Sequence, residues 1–157
     1  MKNLMSQLKE HEGFRDNYYL CTSNKRTIGY GRNVDDNPFN DDEMSGLGRN
    51  EFEDVPMTEK EAHYLLLNDV INAGRSINKS GILPKFNELN KARFAVVINM
   101  VFNMGFSRFS KFEKTIAFIN EGDFETASIE MLNSRWAKQV PSRAQELSVQ
   151  MLLGEFD

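Results

Sequence analysis

From Lys91 to Met104 the chain carries Phe94, Ala95, Val96, Val97, Ile98, Met100, Val101, Phe102 and Met104, so a helix over this stretch is apolar on nearly every side. A helix without a polar face has to be enclosed by other elements, and the stretch therefore predicts a helical lobe built around it. Asn99 and Asn103 fall inside the same stretch and need partners in that interior. The flanking sequence supplies the enclosing material. Helices are expected at roughly Ser110 to Asn120, at Phe124 to Leu132 with Asp123 as N-cap, and at Pro141 to Leu153 with Pro141 in the first turn. Upstream, Thr58 followed by Glu61 is a capping-box pattern. It opens a long helix striped with Ala62, Leu66, Val70, Ala73 and Ile77, which runs out near Lys79, Ser80 and Gly81 and could bridge two lobes. Pro84 suits the first turn of another short helix.

The N-terminal third reads differently. Leu4, Leu8 and His11 at helical spacing predict a short amphipathic helix over Lys2 to His11, stopped by Gly13. Arg15 to Leu20 and Thr27 to Tyr30 are rich in aromatic and β-branched residues and flank a polar stretch, which predicts a β-hairpin. Gly29 and Gly31 mark places where backbone or ligand approaches closely. The class is thus α+β: a small β-containing lobe near the N-terminus and a larger helical lobe, with the first helix free to pack on either.

Charge is unevenly spread. Asp35 to Asp54 holds eight acidic residues against Arg49, a net of −7, so with −4 overall the remainder carries +3. That segment, broken by Pro38, Gly46 and Gly48 with one helical piece around Asp41 to Leu47, reads as mobile surface. The overall acidity argues against broad nucleic-acid binding and leaves room for a local basic face. No stretch has the apolar length of a membrane helix, and Met1 to Glu10 lacks a signal-peptide core, so a soluble protein made in the cytoplasm is expected. With 157 residues the chain buries a sizeable core without staples, and its single cysteine, Cys21, cannot form an internal disulfide.

Three chemical groups stand close together in the N-terminal lobe. Eight residues separate Glu12 from Cys21, and five separate Cys21 from Thr27. Glu12 precedes the helix stop, where a negative charge opposes the helix dipole and calls for a cationic partner or a function. Cys21 is a buried small hydrophobe or a reactive thiol, and Thr27 alone is an ordinary strand residue. His11 and His63 are the only histidines, and neither Cys/His clusters nor His-Glu-x-x-His spacing occurs, so no metal and no cofactor is expected. A cysteine hydrolase using Cys21 with His11 or His63 fits poorly, since both histidines read as ordinary surface or boundary residues. A Walker loop is absent, and Gly29-Tyr30-Gly31 is too short for a dinucleotide fingerprint.

Glu12-Gly13-Phe14-Arg15 with Tyr18, then Cys21, then Thr27-Ile28-Gly29-Tyr30-Gly31, resembles the catalytic signature of the phage-type lysozymes, glycoside hydrolase family 24, in which a glutamate, an aspartate or cysteine, and a threonine recur at this spacing. Further segments resemble the T-even members in the same order: Gly48 to Asn50, Thr58 to Ala62, Asn68 to Val70, Ile98 to Gly105, and Ser134 to Trp136 through Gln139, Pro141, Arg143 and Ala144. The resemblance implies one lysozyme domain over residues 1–157, with lobes at about 12–60 and 80–157 plus the first helix, a joining helix at about 58–79, and the substrate cleft between the lobes. It implies cleavage of the β-1,4 bond between N-acetylmuramic acid and N-acetylglucosamine in bacterial peptidoglycan. Glu12 would be the general acid, Cys21 would take the place of the family's aspartate, and Thr27 would hold the attacking water. Arg143 resembles the arginine that reaches the catalytic glutamate. Arg32 stands where T-even members have a histidine, opposite the aspartate that here is Asp69, so an Arg32 to Asp69 ion pair is expected, without a titration near neutral pH because arginine stays charged. Phe102 matches a substrate-contacting aromatic. Thr115 falls at a serine position, Asn33 at a leucine and Glu130 at an asparagine of the substrate site. The same resemblance implies a monomer in the host cytoplasm without stable membrane association, released by a holin-type partner. The alternative is a non-catalytic wall-binding or virion structural domain on the same fold.

Overall fold

The computed structural model describes residues 1–157. The chain divides into two compact units, Met5–Asp69 and Met1–Leu4 with Val70–Asp157, and each has its own core.

In the first unit, α1 (Leu4–Glu12) ends as the sequence requires: Gly13 takes φ +70° and its N–H donates to the Lys9 carbonyl at 2.9 Å. The hairpin follows as β1 (Arg15–Leu20) and β2 (Arg26–Gly29), paired antiparallel with Tyr19 opposite Thr27 and Leu20 opposite Arg26. A third strand absent from the sequence expectation, β3 (Arg32–Asn33), pairs with β2 across the Gly29-Tyr30-Gly31 turn. Two residues are too short a run for any periodicity to reveal. Gly29 has φ +69°, and a Cβ there would meet Met57 Sδ at 3.1 Å and the Ala62 Cβ at 3.3 Å, so this glycine lets the sheet close onto α3 (Glu59–Ser80). The Thr58 and Glu61 box caps α3: Thr58 Oγ1 accepts from the Glu61 N–H and Glu61 Oε1 accepts from the Thr58 N–H.

The acidic segment corrects the expectation of a mobile surface stretch. Its helix α2 (Asp41–Leu47) is closed by an Asn40/Glu43 capping box, and Glu43 and Phe52 are completely buried. Phe39 packs edge-on against Phe52, and Arg49 lies over the Phe52 ring while pairing with Glu61 at 2.8 Å. Composition described the solvent-facing carboxylates and missed the residues between them that face inward.

The second unit is helical and organised around α4 (Lys91–Met104), whose residues from Ala95 through Val101 are all buried. Ile77, Phe86, Phe109, Met131, Trp136, Leu147 and Met151 contribute to the same core. Both interior asparagines have the partners they require: Asn99 Oδ1 accepts from Arg143 Nε at 2.8 Å, and Asn103 Oδ1 from Trp136 Nε1 at 2.7 Å. The helices α7 (Phe124–Leu132) and α9 (Pro141–Leu153) have the expected bounds. The expected Ser110 to Asn120 helix is instead a short α5 (Phe106–Phe109), a turn, and α6 (Glu113–Glu121). In that turn Phe109 is buried and stacks on Phe112, a tertiary demand that interrupts the helical run. The segment after Pro84 is a single 3-10 turn, Phe86–Glu88, and α8 (Arg135–Gln139), N-capped by Ser134, has no counterpart in the sequence expectation.

Candidate active site

Glu12, Cys21 and Thr27 all belong to the first unit. Glu12 is the last residue of α1, and Gly31 lies directly against its carboxylate: a Cβ at Gly31 would sit 2.8 Å from Glu12 Oε2 and 3.1 Å from its Cδ. Gly31 also has φ +76°, so glycine is required twice over, for the turn and for the space the carboxyl occupies. The acid at the end of one element is thus positioned by the hairpin turn of another.

Cys21 ends the strand side of the β1–β2 loop, which is closed by Cys21 N–H to Lys25 carbonyl and Asn24 N–H to Cys21 carbonyl bonds at 3.0 and 2.8 Å. Asn24 takes the left-handed φ of 60° that an asparagine tolerates. The half-buried thiol receives the Lys25 N–H, and this bond lowers its pKa; burial opposes it, while the Ser23 N–H, the Thr27 hydroxyl and its own N–H add to the lowering. Thr27 is buried, and its single hydroxyl proton has two alternative acceptors, the thiol and the Lys25 carbonyl at 3.0 Å. The loop therefore presents a thiol whose anion is favoured, with a hydroxyl beside it.

Tyr19 joins this group unannounced by the sequence reading. It stands directly opposite Thr27 and two residues before Cys21, which places all three on one face of the hairpin. Burial raises the pKa of its phenol, the charge of Glu12 raises it further, and Cys21 adds to that against Arg15, whose guanidinium lies 4.5 Å from the ring centre. Tyr19 remains a neutral hydroxyl there.

The Arg32 guanidinium, 3% exposed, uses all five of its N–H groups. Nη1 donates to Glu43 Oε2 at 2.8 Å and to Asp69 Oδ1 at 3.1 Å, Nη2 to Glu43 Oε1 at 2.7 Å and the Pro38 carbonyl at 3.2 Å, and Nε to the Asn37 carbonyl at 2.8 Å. Asp69 is the partner expected from the sequence. Glu43, the bidentate one, was hidden among the acidic residues of its segment. Their carboxyls shift in opposite directions although both touch one cation. Burial pushes Glu43 up, but the Arg32, Asn68 and Asn40 bonds outweigh it and bring the carboxyl to about 2. Burial pushes Asp69 up to about 6, with Arg32 and Asn37 pulling down and the Glu43 charge pushing up. Since Arg32 gives two bonds to Glu43 and one to Asp69, the second carboxylate is under-compensated. This corrects the expectation of no titration near neutral pH, because the titrating group of the pair is the Asp69 carboxyl.

The remaining assigned residues are divided between the two units. Asn33, in β3, spends its amide locally: Oδ1 accepts from the Asp35 and Asp36 N–H groups and Nδ2 donates to Asp36 at 3.1 Å. Phe102, Thr115, Glu130 and Arg143 belong to the helical unit. Thr115 and Glu130 line one cavity of about 490 Å³ with Phe112 and Trp136 among its walls. Phe102 is half-buried on α4, and Arg143 holds Asn99. No group of His, Cys, Asp and Glu is arranged to hold a metal ion.

With this geometry in place, comparison with known proteins decides the family, because the family model described as phage lysozyme matches residues 9–150. The chain belongs to the phage lysozyme family. The family protein is 31% identical to "Probable T4-type lysozyme 2" of Dictyostelium discoideum, over 92% of this chain and 90% of that one. It is 26% identical to the "Endolysin" of Acyrthosiphon pisum secondary endosymbiont phage 1, over 83% of this chain and 75% of the relative. It is also 27% identical to the "Pre-baseplate central spike protein Gp5" of Enterobacteria phage T4, where 99% of this chain covers 28% of the longer protein. Membership of this family supports a lysozyme-type function, with peptidoglycan as the substrate class.

Proposed function

We propose that the protein is an endolysin-type muramidase that hydrolyses the β-1,4 bond between N-acetylmuramic acid and N-acetylglucosamine. The observation that carries the reading is the grouping of Glu12, Cys21 and Thr27 in one unit, with Gly31 cleared for the Glu12 carboxyl. Glu12 gives its proton to the leaving glycosidic oxygen as the bond to the anomeric carbon breaks. Water, held by the Thr27 hydroxyl, attacks that carbon, and Cys21 as thiolate takes the proton this water loses. The N–H groups that favour the Cys21 anion support that base role. Asn33, Phe102, Thr115 and Glu130 are proposed to contact the glycan and Arg143 to orient the acid, as the resemblance assigns them.

Turbidity loss of permeabilised Gram-negative cells tests the reading, with Glu12→Gln as the control. We expect clearance by the wild type and almost none by the variant. A second reading, a wall-binding or virion structural domain, is favoured by the likeness to the spike protein. Absence of clearance by the wild type, with retention on purified walls, selects it. A monomer acting on the wall after release from the cytoplasm through a holin-type partner completes the proposal. Its oligomeric part is read by light scattering, where a dimer mass would remove it.

A further inference from the structure

Of the three side chains that share one face of the hairpin, Tyr19 is the one to which the muramidase scheme gives no task. It stands directly opposite Thr27 across the β1–β2 pair, where facing Cβ atoms lie about 4.5–5.5 Å apart, and two residues along the chain from Cys21. Its ring is half-buried, with the Arg15 guanidinium 4.5 Å from the ring centre. Its hydroxyl makes no hydrogen bond within the protein, whereas the thiol and the Thr27 hydroxyl are both engaged. Burial and then the Glu12 charge keep the proton on the phenol, and Cys21 adds to them against Arg15. An uncommitted O–H donor is therefore held on the face that carries the thiol.

The attacking water sets the demand for such a donor. A thiolate can only accept, so Cys21 takes one of the two water protons. The Thr27 proton is claimed by the thiol or by the Lys25 carbonyl, so towards water the Thr27 oxygen is an acceptor too and holds the second. With both O–H bonds engaged, the water still has two equivalent lone pairs, and only one of them can face the anomeric carbon. A donor on the second lone pair selects the first.

We infer that the Tyr19 hydroxyl is that donor, hydrogen-bonding one lone pair of the attacking water and so aiming the other at the anomeric carbon. The inference rests on the muramidase reading and adds a fourth group to it. No bond of Tyr19 is made or broken: the water gives one proton to Cys21 and bonds to the anomeric carbon, while the departing glycosidic oxygen takes the Glu12 proton. A carboxylate in place of the phenol would have no proton to offer at pH 7, and a lysine would pair with Glu12 or the thiolate.

The test compares wild type, Tyr19→Phe and Glu12→Gln by the reducing ends released from soluble peptidoglycan chains. Phenylalanine keeps the ring beside Arg15 and removes only the hydroxyl. We expect kcat to fall about tenfold, the kinetic equivalent of one hydrogen bond, with KM unchanged. The urea midpoint and the pH profile of Cys21 alkylation by iodoacetamide are expected to stay at their wild-type values, because Tyr19 is not among the groups that favour the Cys21 anion. A wild-type kcat in Tyr19→Phe overturns the inference. So does a rise in KM at constant kcat, which assigns the hydroxyl to the glycan, and so does a loss of activity that follows a drop in the urea midpoint, which makes Tyr19 structural. In these three cases the muramidase reading stands as long as wild type cleaves and Glu12→Gln does not. If wild type releases no reducing ends, both fall together.

Discussion

In the proposed mechanism Cys21 stands where a two-carboxylate glycosidase has its second acid, and the groups around the thiol favour its anion. The Lys25 N–H leads the groups that favour its anion, so alkylation of Cys21 by iodoacetamide is expected to become fast at a lower pH than for a free cysteine; a rate profile matching the free amino acid would remove the thiolate from the mechanism. In the same assay of wall clearance, Cys21→Asp is expected to keep activity and Cys21→Ala to lose most of it. Gly31 provides a second, independent handle on the acid. Gly31→Ala places a methyl group against Glu12 Oε2 in a backbone conformation that alanine disfavours. We expect clearance to fall at least tenfold while stability drops by about 1–2 kcal/mol, the cost of a non-glycine residue in left-handed backbone. A variant that loses stability but keeps full activity would separate Gly31 from the acid. The sequence marked Gly31 as a point of close approach but not what approaches it, because Glu12 is nineteen positions away and belongs to another element.

At the scale of elements, one glutamate of α2 does two tasks. Glu43 closes the capping box with Asn40 and accepts both Arg32 Nη groups. Asn40→Ala is therefore expected to cost about 1 kcal/mol, the ordinary value of a cap, and Glu43→Gln about 3–5 kcal/mol, because it leaves Arg32 short of its buried partner. Urea unfolding at pH 7 measures both, and equal losses would contradict the bidentate pair. The same cluster sets a pH dependence with two opposed slopes. Glu43 is lowered from 4.5 to about 2, so its contribution is complete above its unfolded value and is lost as pH falls through that window. Asp69 is raised from 3.8 to about 6, so the folded state holds a proton that the unfolded state has released, and stability falls as pH rises through that window. Urea midpoints across pH 2–7 are expected to rise and then decline, and Asp69→Asn should abolish the decline while sparing the acid limb. A flat profile above the acid limb in the wild type would refute the buried, under-compensated Asp69. Sequence periodicity placed the regular helices α3, α4, α7 and α9, whose apolar stripes are continuous. It failed at β3, at α8 and at the α5–α6 break, where two to five residues take their conformation from contacts with distant parts of the chain.

For the whole molecule, the −4 charge conceals a division that matters for the proposed action on an anionic wall. The excess acid sits in Asp35 to Asp54, and the helical unit carries the uncompensated cations. Exposed members of the acidic segment repel an anionic wall at long range only at low salt. Glu53→Gln with Asp54→Asn is expected to raise the clearance rate below about 0.05 M salt and to change nothing above about 0.5 M, where charges are screened within a few ångströms. An equal gain at both salts would assign the effect to something other than long-range charge. The amino-acid sequence by itself determined the class α+β, the enclosed helix and its two asparagines, the long capped helix, and the Glu12, Cys21 and Thr27 spacing, because periodicity, capping and short motifs are local properties. Only the tertiary structure decided that Glu43 claims Arg32, that Asp69 is left to titrate, that Gly31 makes room for Glu12, and that scattered cations converge on one cavity. Each of these depends on burial and on which charges end up within hydrogen-bond distance, and neither quantity exists until the chain has folded.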